Sequence, residues 1–292
     1  FETGFEPWEG YDPQKDLAGQ NGWVAIGDGG NGILPGPLEG FRGQVAYVGF
    51  SPPAGTNDLL NLFRPVPLAP VGGALPVVTF TVSFQIFDST TNAPYFDDFR
   101  WSAYDVREER LFTLDFDNEN LVISYALDDG RGFRPTGFSF NANEPYDLTL
   151  TLNFGRNLWT ADLNGSVVVN AQPITTRGGV PDLNEMDAVW AIRRPGFPGD
   201  NFMIFDDYRL VAEAAADFPP TLEPVGLLTT GAFIVRVRGE PGVTYRVEGT
   251  SDLKTWQPIG QVTAPAPSGV VDIQDNVRAG PGGRYYRAVS LP

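Results

Sequence analysis

The stretch Val77-Val-Thr-Phe-Thr-Val-Ser-Phe-Gln-Ile-Phe87 decides the fold. Val78, Phe80, Val82, Phe84 and Ile86 occupy every second position, with Thr79, Thr81, Ser83 and Gln85 between them. Successive side chains of a strand point to opposite faces, so this period describes a strand with one apolar and one polar face. The apolar members are β-branched or aromatic, the types that fit a pleated, half-buried surface.

The pattern repeats in both directions from there. Leu111–Phe116 and Leu121–Leu127 flank Asp117-Asn-Glu-Asn120 and predict a hairpin. Tyr146–Phe154 and Leu158–Leu163 predict another, and Asn164-Gly165 is a two-residue turn into Ser166–Val169. Val189–Ile192 and Phe202–Val211 complete the series. About ten to fourteen antiparallel strands in this span predict an all-β fold, a two-sheet jelly-roll sandwich. The chain's 34 glycines and 26 prolines break helical runs, and its 13% aromatic content supplies a core. The stretch from Ser51 to Pro76 is rich in proline and reads as a long surface loop.

Val211-Ala-Glu-Ala-Ala-Ala-Asp-Phe-Pro-Pro220 reads as a linker, dividing a jelly roll over 1–216 from a smaller β-sandwich over 217–292. Residues 1–217 carry 30 acidic and 13 basic side chains, whereas 218–292 carry 6 and 7. The acidic part repels nucleic acid and attracts cations. Strands are predicted at Ala232–Arg238, Val243–Gly249, Trp256–Thr263, Gly269–Ile273 and Arg284–Ser290.

The chain has no cysteine and no histidine, which removes the thiolate nucleophile, the imidazole base and the usual zinc ligands. No run of about 18 apolar residues is present, so no membrane insertion is expected. The first residue is Phe1 rather than Met, which reads as a processed start and hence a secreted, extracellular or cell-surface product.

Tyr95-Phe-Asp-Asp-Phe-Arg-Trp101 and Ile204-Phe-Asp-Asp-Tyr-Arg-Leu210 are near copies, each placing two carboxylates in an apolar strand. Alternation puts Asp98 and Asp207 on the faces of Arg100 and Arg209, and Asp97 and Asp206 on the more apolar faces. A carboxylate there costs several kcal/mol unless it is compensated. Backbone N–H groups, a Tyr hydroxyl or a cation would each do so.

Phe1-Glu-Thr-Gly-Phe-Glu6, Gly19-Gln-Asn-Gly-Trp23, Trp159-Thr-Ala-Asp-Leu-Asn-Gly165 and Phe205-Asp-Asp-Tyr-Arg-Leu210 together resemble a laminin-G/concanavalin-A-like jelly roll. Tyr245-Arg-Val-Glu-Gly-Thr-Ser-Asp-Leu-Lys-Thr-Trp256 and Arg284-Tyr-Tyr-Arg-Ala288 are similar to the small immunoglobulin- or fibronectin-III-like tails of secreted bacterial proteins. The resemblance implies carbohydrate binding or adhesion, with glycosidases and polysaccharide lyases among the relatives. It also implies a structural calcium tying the first strand to the last, held by Glu2 or Glu6 and by Asp206 or Asp207.

Glu185-Met-Asp187-Ala-Val-Trp190 resembles the Glu-x-Asp-x-x-Glu strand of concanavalin-like glycosidases, but Trp190 stands where the acid/base carboxylate belongs. Without that second carboxylate retaining hydrolysis has no working pair. Gly27, Gly29 and Gly32 fit a dinucleotide fingerprint, yet Ile33-Leu-Pro-Gly-Pro37 cannot be the helix that must follow. Asp115, Asp117 and Glu119 form a hairpin tip that could hold a cation weakly. Trp8, Tyr11, Trp23, Phe133 and Phe138 lie near Gly-rich loops and are candidate sugar-stacking residues.

These observations lead to a non-catalytic extracellular structural or adhesive protein that meets copies of itself head to tail, acidic part against near-neutral tail, in a filament or layer. The alternative is a glycan-binding module for extracellular polysaccharide with a structural calcium, and the third reading is a polysaccharide lyase.

Overall fold

Val77–Phe87 forms one unbroken strand in the computed structural model, which describes residues 1–51, 58–67, 77–178, 181–213, 220–240, 243–265, 269–277 and 283–291. Val78, Phe80, Val82, Phe84 and Ile86 are all buried, as the alternation requires. Among the described residues the strands are β1 (Glu2–Thr3), β2 (Val24–Ile26), β3 (Asn31–Leu34), β4 (Val45–Gly49) and β5 (Leu59–Phe63). Next come β6 (Val77–Phe87), β7 (Asp98–Tyr104), β8 (Arg110–Asp117), β9 (Val122–Leu127) and β10 (Arg134–Ser139). β11 (Pro145–Asn153), β12 (Leu158–Leu163), β13 (Ser166–Pro173), β14 (Glu185–Ala191) and β15 (Phe202–Glu213) follow. The last six are β16 (Thr221–Leu227), β17 (Phe233–Arg238), β18 (Thr244–Thr250), β19 (Gln257–Thr263), β20 (Val270–Asp275) and β21 (Tyr285–Ser290).

The chain forms two compact units, one built on β1 to β15 and one on β16 to β21. In the first, one sheet runs β13-β12-β11-β6-β15-β4-β3 with β1 added to β15, and the other runs β10-β9-β8-β7-β14-β5-β2. Aromatic side chains from the two sheets meet between them. Phe112 stacks on Trp159 at 4.0 Å, Phe84 meets Phe116 at 4.9 Å, and Trp101 meets Phe80 at 5.3 Å and Phe205 at 5.5 Å. Burial of such large rings is the main force holding the sheets face to face.

The second unit has sheets β16-β17-β20 and β19-β18-β21. Val237, Tyr245, Val247 and Ala264 form its buried core, with Leu222, Ile259, Val271, Ile273 and Ala288 packed against them. The boundary expected at 217 lies outside the described residues.

Two sequence expectations are corrected. Within Ser51–Pro76, Leu59–Phe63 is a strand rather than part of a loop. It is held on both sides, Leu60 opposite Trp190 of β14 and Leu62 opposite Ala25 of β2. Two neighbours complete its ladder, so the prolines nearby only have to stay outside the five paired residues.

Regular alternation also fails in β15. Phe205 and Tyr208, three residues apart, both point into the core, whereas Ile204 packs on the other side with Phe41 and Val45. Asp207 has φ of 50°, and its N–H donates to Asp206 Oδ1 at 2.7 Å. This is a β-bulge: one extra residue shifts the phase of the strand. One edge of β15 pairs with β4 through Phe202–Phe205 and with β1 at Tyr208 and Arg209, on either side of the bulge.

Candidate functional site

The face of the seven-stranded sheet turned away from the core carries an unusual density of polar side chains. Register places Glu185 opposite Tyr104, Asp187 opposite Ser102 and Val189 opposite Arg100. Across the next ladder Ser102 faces Thr113, and Arg100 faces Asp115. Paired residues project to the same side, so these groups share one face with Asn61 of β5, which lies opposite Val189. Phe99, Trp101 and Ala103 alternate with them and are buried in the core.

At one end of this face the Asn61 amide joins two partners. Its Nδ2 donates to Asp187 Oδ2 at 3.0 Å and to the Tyr104 hydroxyl at 3.1 Å. Asp187 is only 1% exposed, and its Oδ1 receives no hydrogen bond among the described residues. Burial, reinforced by the charge of Glu185, drives the Asp187 carboxyl well above the usual carboxylate range. Burial and the nearby Glu108 raise Glu185 to about 7, although Asn184 donates to it at 2.8 Å. Burial, then the charge of Asp187, also raises the Tyr104 phenol. This end therefore gathers two carboxyls whose ionisation burial opposes, an amide, a phenol and the Ser102 and Thr113 hydroxyls.

The other end is ionic. Arg100 contacts Asp115 at 2.6 Å and Asp98 at 3.6 Å. Arg193 binds Asp98 at 2.7 Å, Glu119 at 2.8 Å and also Asp117, and Arg194 binds Glu119 at 2.9 Å. Burial outweighs Arg100 and raises Asp115 to about 6. The Phe133 ring lies 4.8 Å from the Arg100 guanidinium and is 43% exposed, an aromatic surface above this part of the sheet.

The other sequence candidates are dispersed. Tyr11 and Trp23 are corrected as sugar-stacking residues: both are buried, and Trp23 Nε1 donates to the Tyr11 hydroxyl at 3.0 Å. Their large apolar rings are worth more in the core, against Phe5 and Tyr208, than in water. Trp8, on a 3-10 turn at Pro7–Glu9, is 82% exposed, and Phe138 is also exposed. The hairpin-tip carboxylates Asp117 and Glu119 are occupied by arginines and by backbone N–H groups.

Of the residues expected to hold calcium, Glu6 and Asp206 lie near each other, whereas Glu2 and Asp207 stand apart from them. Glu2 is an exposed side chain whose nearest cation is Arg209 at 3.4 Å, and Asp207 is exposed beyond the bulge. Asp206 does lie near Glu6 and Glu9, whose charges add to burial in raising it to about 7. Glu9 Oε2, however, already accepts from the N–H groups of Gly4 and Glu6 and from the Thr3 hydroxyl. Among the described residues no group of three or more acidic side chains is placed to hold a metal ion.

Of the twin pairs, Asp97 is compensated by three N–H donors, against one at Asp206. It is fully buried and accepts from Gly199 N at 2.9 Å, Trp190 Nε1 at 3.1 Å and Arg193 N at 3.2 Å. Trp190 thus points to the core side of β14, and Val189 occupies the outward position beyond Asp187. Neither adds a third carboxylate to Glu185 and Asp187. Sequence reasoning singled out Glu185 and Asp187 but missed Asn61 and Tyr104, because the register that unites them joins segments 43 residues apart.

Neither a protein-family model nor a curated protein matches the sequence. Among solved structures the chain is similar to a basic winged bean lectin in complex with Tn-antigen, at 9% identity and TM-score 0.48, over 74% of this chain and 98% of the lectin. It is similar to a carbohydrate-binding module from Bacillus subtilis, at 10% identity and TM-score 0.41, over 67% of this chain and 99% of the module. It is also similar to a sialidase, at 8% identity and TM-score 0.47, over 69% of this chain, which spans 18% of the sialidase's length. At these identities the likeness concerns the fold.

Proposed function

We propose that the chain is a non-catalytic glycan-binding protein that acts outside the cell, and that its ligand lies on the outward face of the seven-stranded sheet. The observation that carries this reading is the Asn61–Tyr104–Asp187 arrangement, with a buried carboxyl oxygen left without a donor. The half-buried Asn61 amide and Tyr104 hydroxyl can meet a ligand hydroxyl, above an Asp187 oxygen that the described residues leave without a partner. Phe133, on the same face, offers a ring against which a sugar can stack. The absence of cysteine and histidine and the lack of a third carboxylate on β14 support binding without turnover. The pairing order of β16 to β21 supports reading the second unit as a fibronectin-III-like accessory domain.

Affinity electrophoresis of the purified chain in gels containing different polysaccharides tests the reading. Retardation is expected, reduced at least about tenfold in affinity by Asn61→Ala and by Phe133→Ala, with Trp8→Ala as the comparison at a separate exposed aromatic. Release of reducing or unsaturated chain ends would replace binding by catalysis. Self-association is a second reading, favoured by the exposed apolar side chains Val225 and Leu227 on β16 and Tyr285 on β21. Sizing over a concentration series separates it: a monomer at all concentrations removes it.

A further inference from the structure

The charges on the candidate face define what kind of glycan it can take. Arg100, Arg193 and Arg194 are each held by carboxylates of this chain, and the three have four acidic partners, Asp98, Asp115, Asp117 and Glu119. At the other end Arg110 lies opposite Tyr104, and its guanidinium donates to the Leu127 carbonyl at 3.3 Å. On the other side of Tyr104 stand Glu185, opposite it on β14, and Asp187, bridged to it by Asn61, with Glu108 close enough to act on Glu185. Acidic groups therefore outnumber basic ones at both ends.

We infer that this face recognises an uncharged, hydroxyl-rich glycan and discriminates against uronate and sulfated polysaccharides. The inference rests on the reading of the face as a glycan site. A sugar hydroxyl is both donor and acceptor. It can accept from the half-buried Tyr104 hydroxyl, whose oxygen already receives the Asn61 amide, and still give its own hydrogen to a neighbouring oxygen. An anionic group can only accept, and it would meet acidic side chains that outnumber the arginines along the face.

Binding of the full chain to two polysaccharide panels at pH 7 and physiological salt tests this. One panel is neutral (a β-glucan, a galactomannan and a fructan), and the other is anionic (alginate, polygalacturonate and a sulfated galactan). At least one neutral member is expected to bind about tenfold or more tightly than every anionic one. Tyr104→Phe, which deletes one hydroxyl and little volume, should weaken that binding several-fold with unchanged melting. Tighter binding of an anionic member, lost in Arg110→Ala, overturns the inference while leaving the glycan site standing. Failure of both panels to bind overturns the site itself, and the inference with it.

Discussion

Asp97 and Asp206 begin near-identical acidic pairs and solve the burial of a carboxylate differently. Asp97 accepts three N–H groups from β14 and the segment after it. Asp97→Ala should leave three donors unpaired, two of them buried, and cost about 3 kcal/mol, read as a lower midpoint in chemical denaturation. Asp206 instead lies beside a residue with positive φ. Asp207→Gly should therefore be close to neutral, whereas Asp207→Val should cost about 1–2 kcal/mol, because a β-branched side chain resists the left-handed region. The sequence showed that two carboxylates needed compensation, and N–H donors were among the compensators it allowed. It could not show that one pair straddles a bulge, because a bulge is defined by what the neighbouring strand opposes.

At the scale of elements, β6 and the hairpins around Asp117–Asn120 and Asn164-Gly165 were legible, since each is specified by its own alternation and turn residues. β5 and β2 were not, because five and three residues carry too little period and exist through their neighbours. Their pairing depends on Gly27, which has φ of 96° and would place a Cβ 2.1 Å from the Leu59 carbonyl oxygen. Gly27→Ala should separate the end of β2 from β5, seen as lost hydrogen-exchange protection at Val24–Ile26. Unchanged protection would show that the close approach does not hold the strand. Asn61 is on β5, so the same substitution should also weaken glycan binding. The site was half legible for the same reason: Glu185 and Asp187 belong to one strand, and their partners come from others.

For the whole molecule, net charge and raised carboxyls make stability depend on pH in a defined direction. Asp206 and Glu185 are raised to about 7 and Asp115 to about 6, each chiefly by burial. The folded state therefore holds protons that the unfolded chain has released between about pH 4 and 7. Their contribution is complete below the unfolded value and is lost as pH rises through the folded one. Groups lowered by hydrogen bonds, such as Asp252 at about 2, act oppositely and only in more acidic solution. The melting temperature should thus rise from pH 8 to pH 5, and Asp206→Asn should flatten part of that slope. An equal melting temperature at pH 5 and pH 8 would refute it.

The extra residue in β15 also acts as a key. A strand of uniform parity can slide by one position and exchange its faces everywhere at once. The segments before and after Asp207 have opposite parity, so a slide that restored Phe205 to the interior would misplace Tyr208, and the reverse. Sliding by two would carry the kink away from the junction between β4 and β1. The strand at the middle of its sheet can therefore seat in one alignment only, which protects the neighbouring ladders from mispairing during assembly.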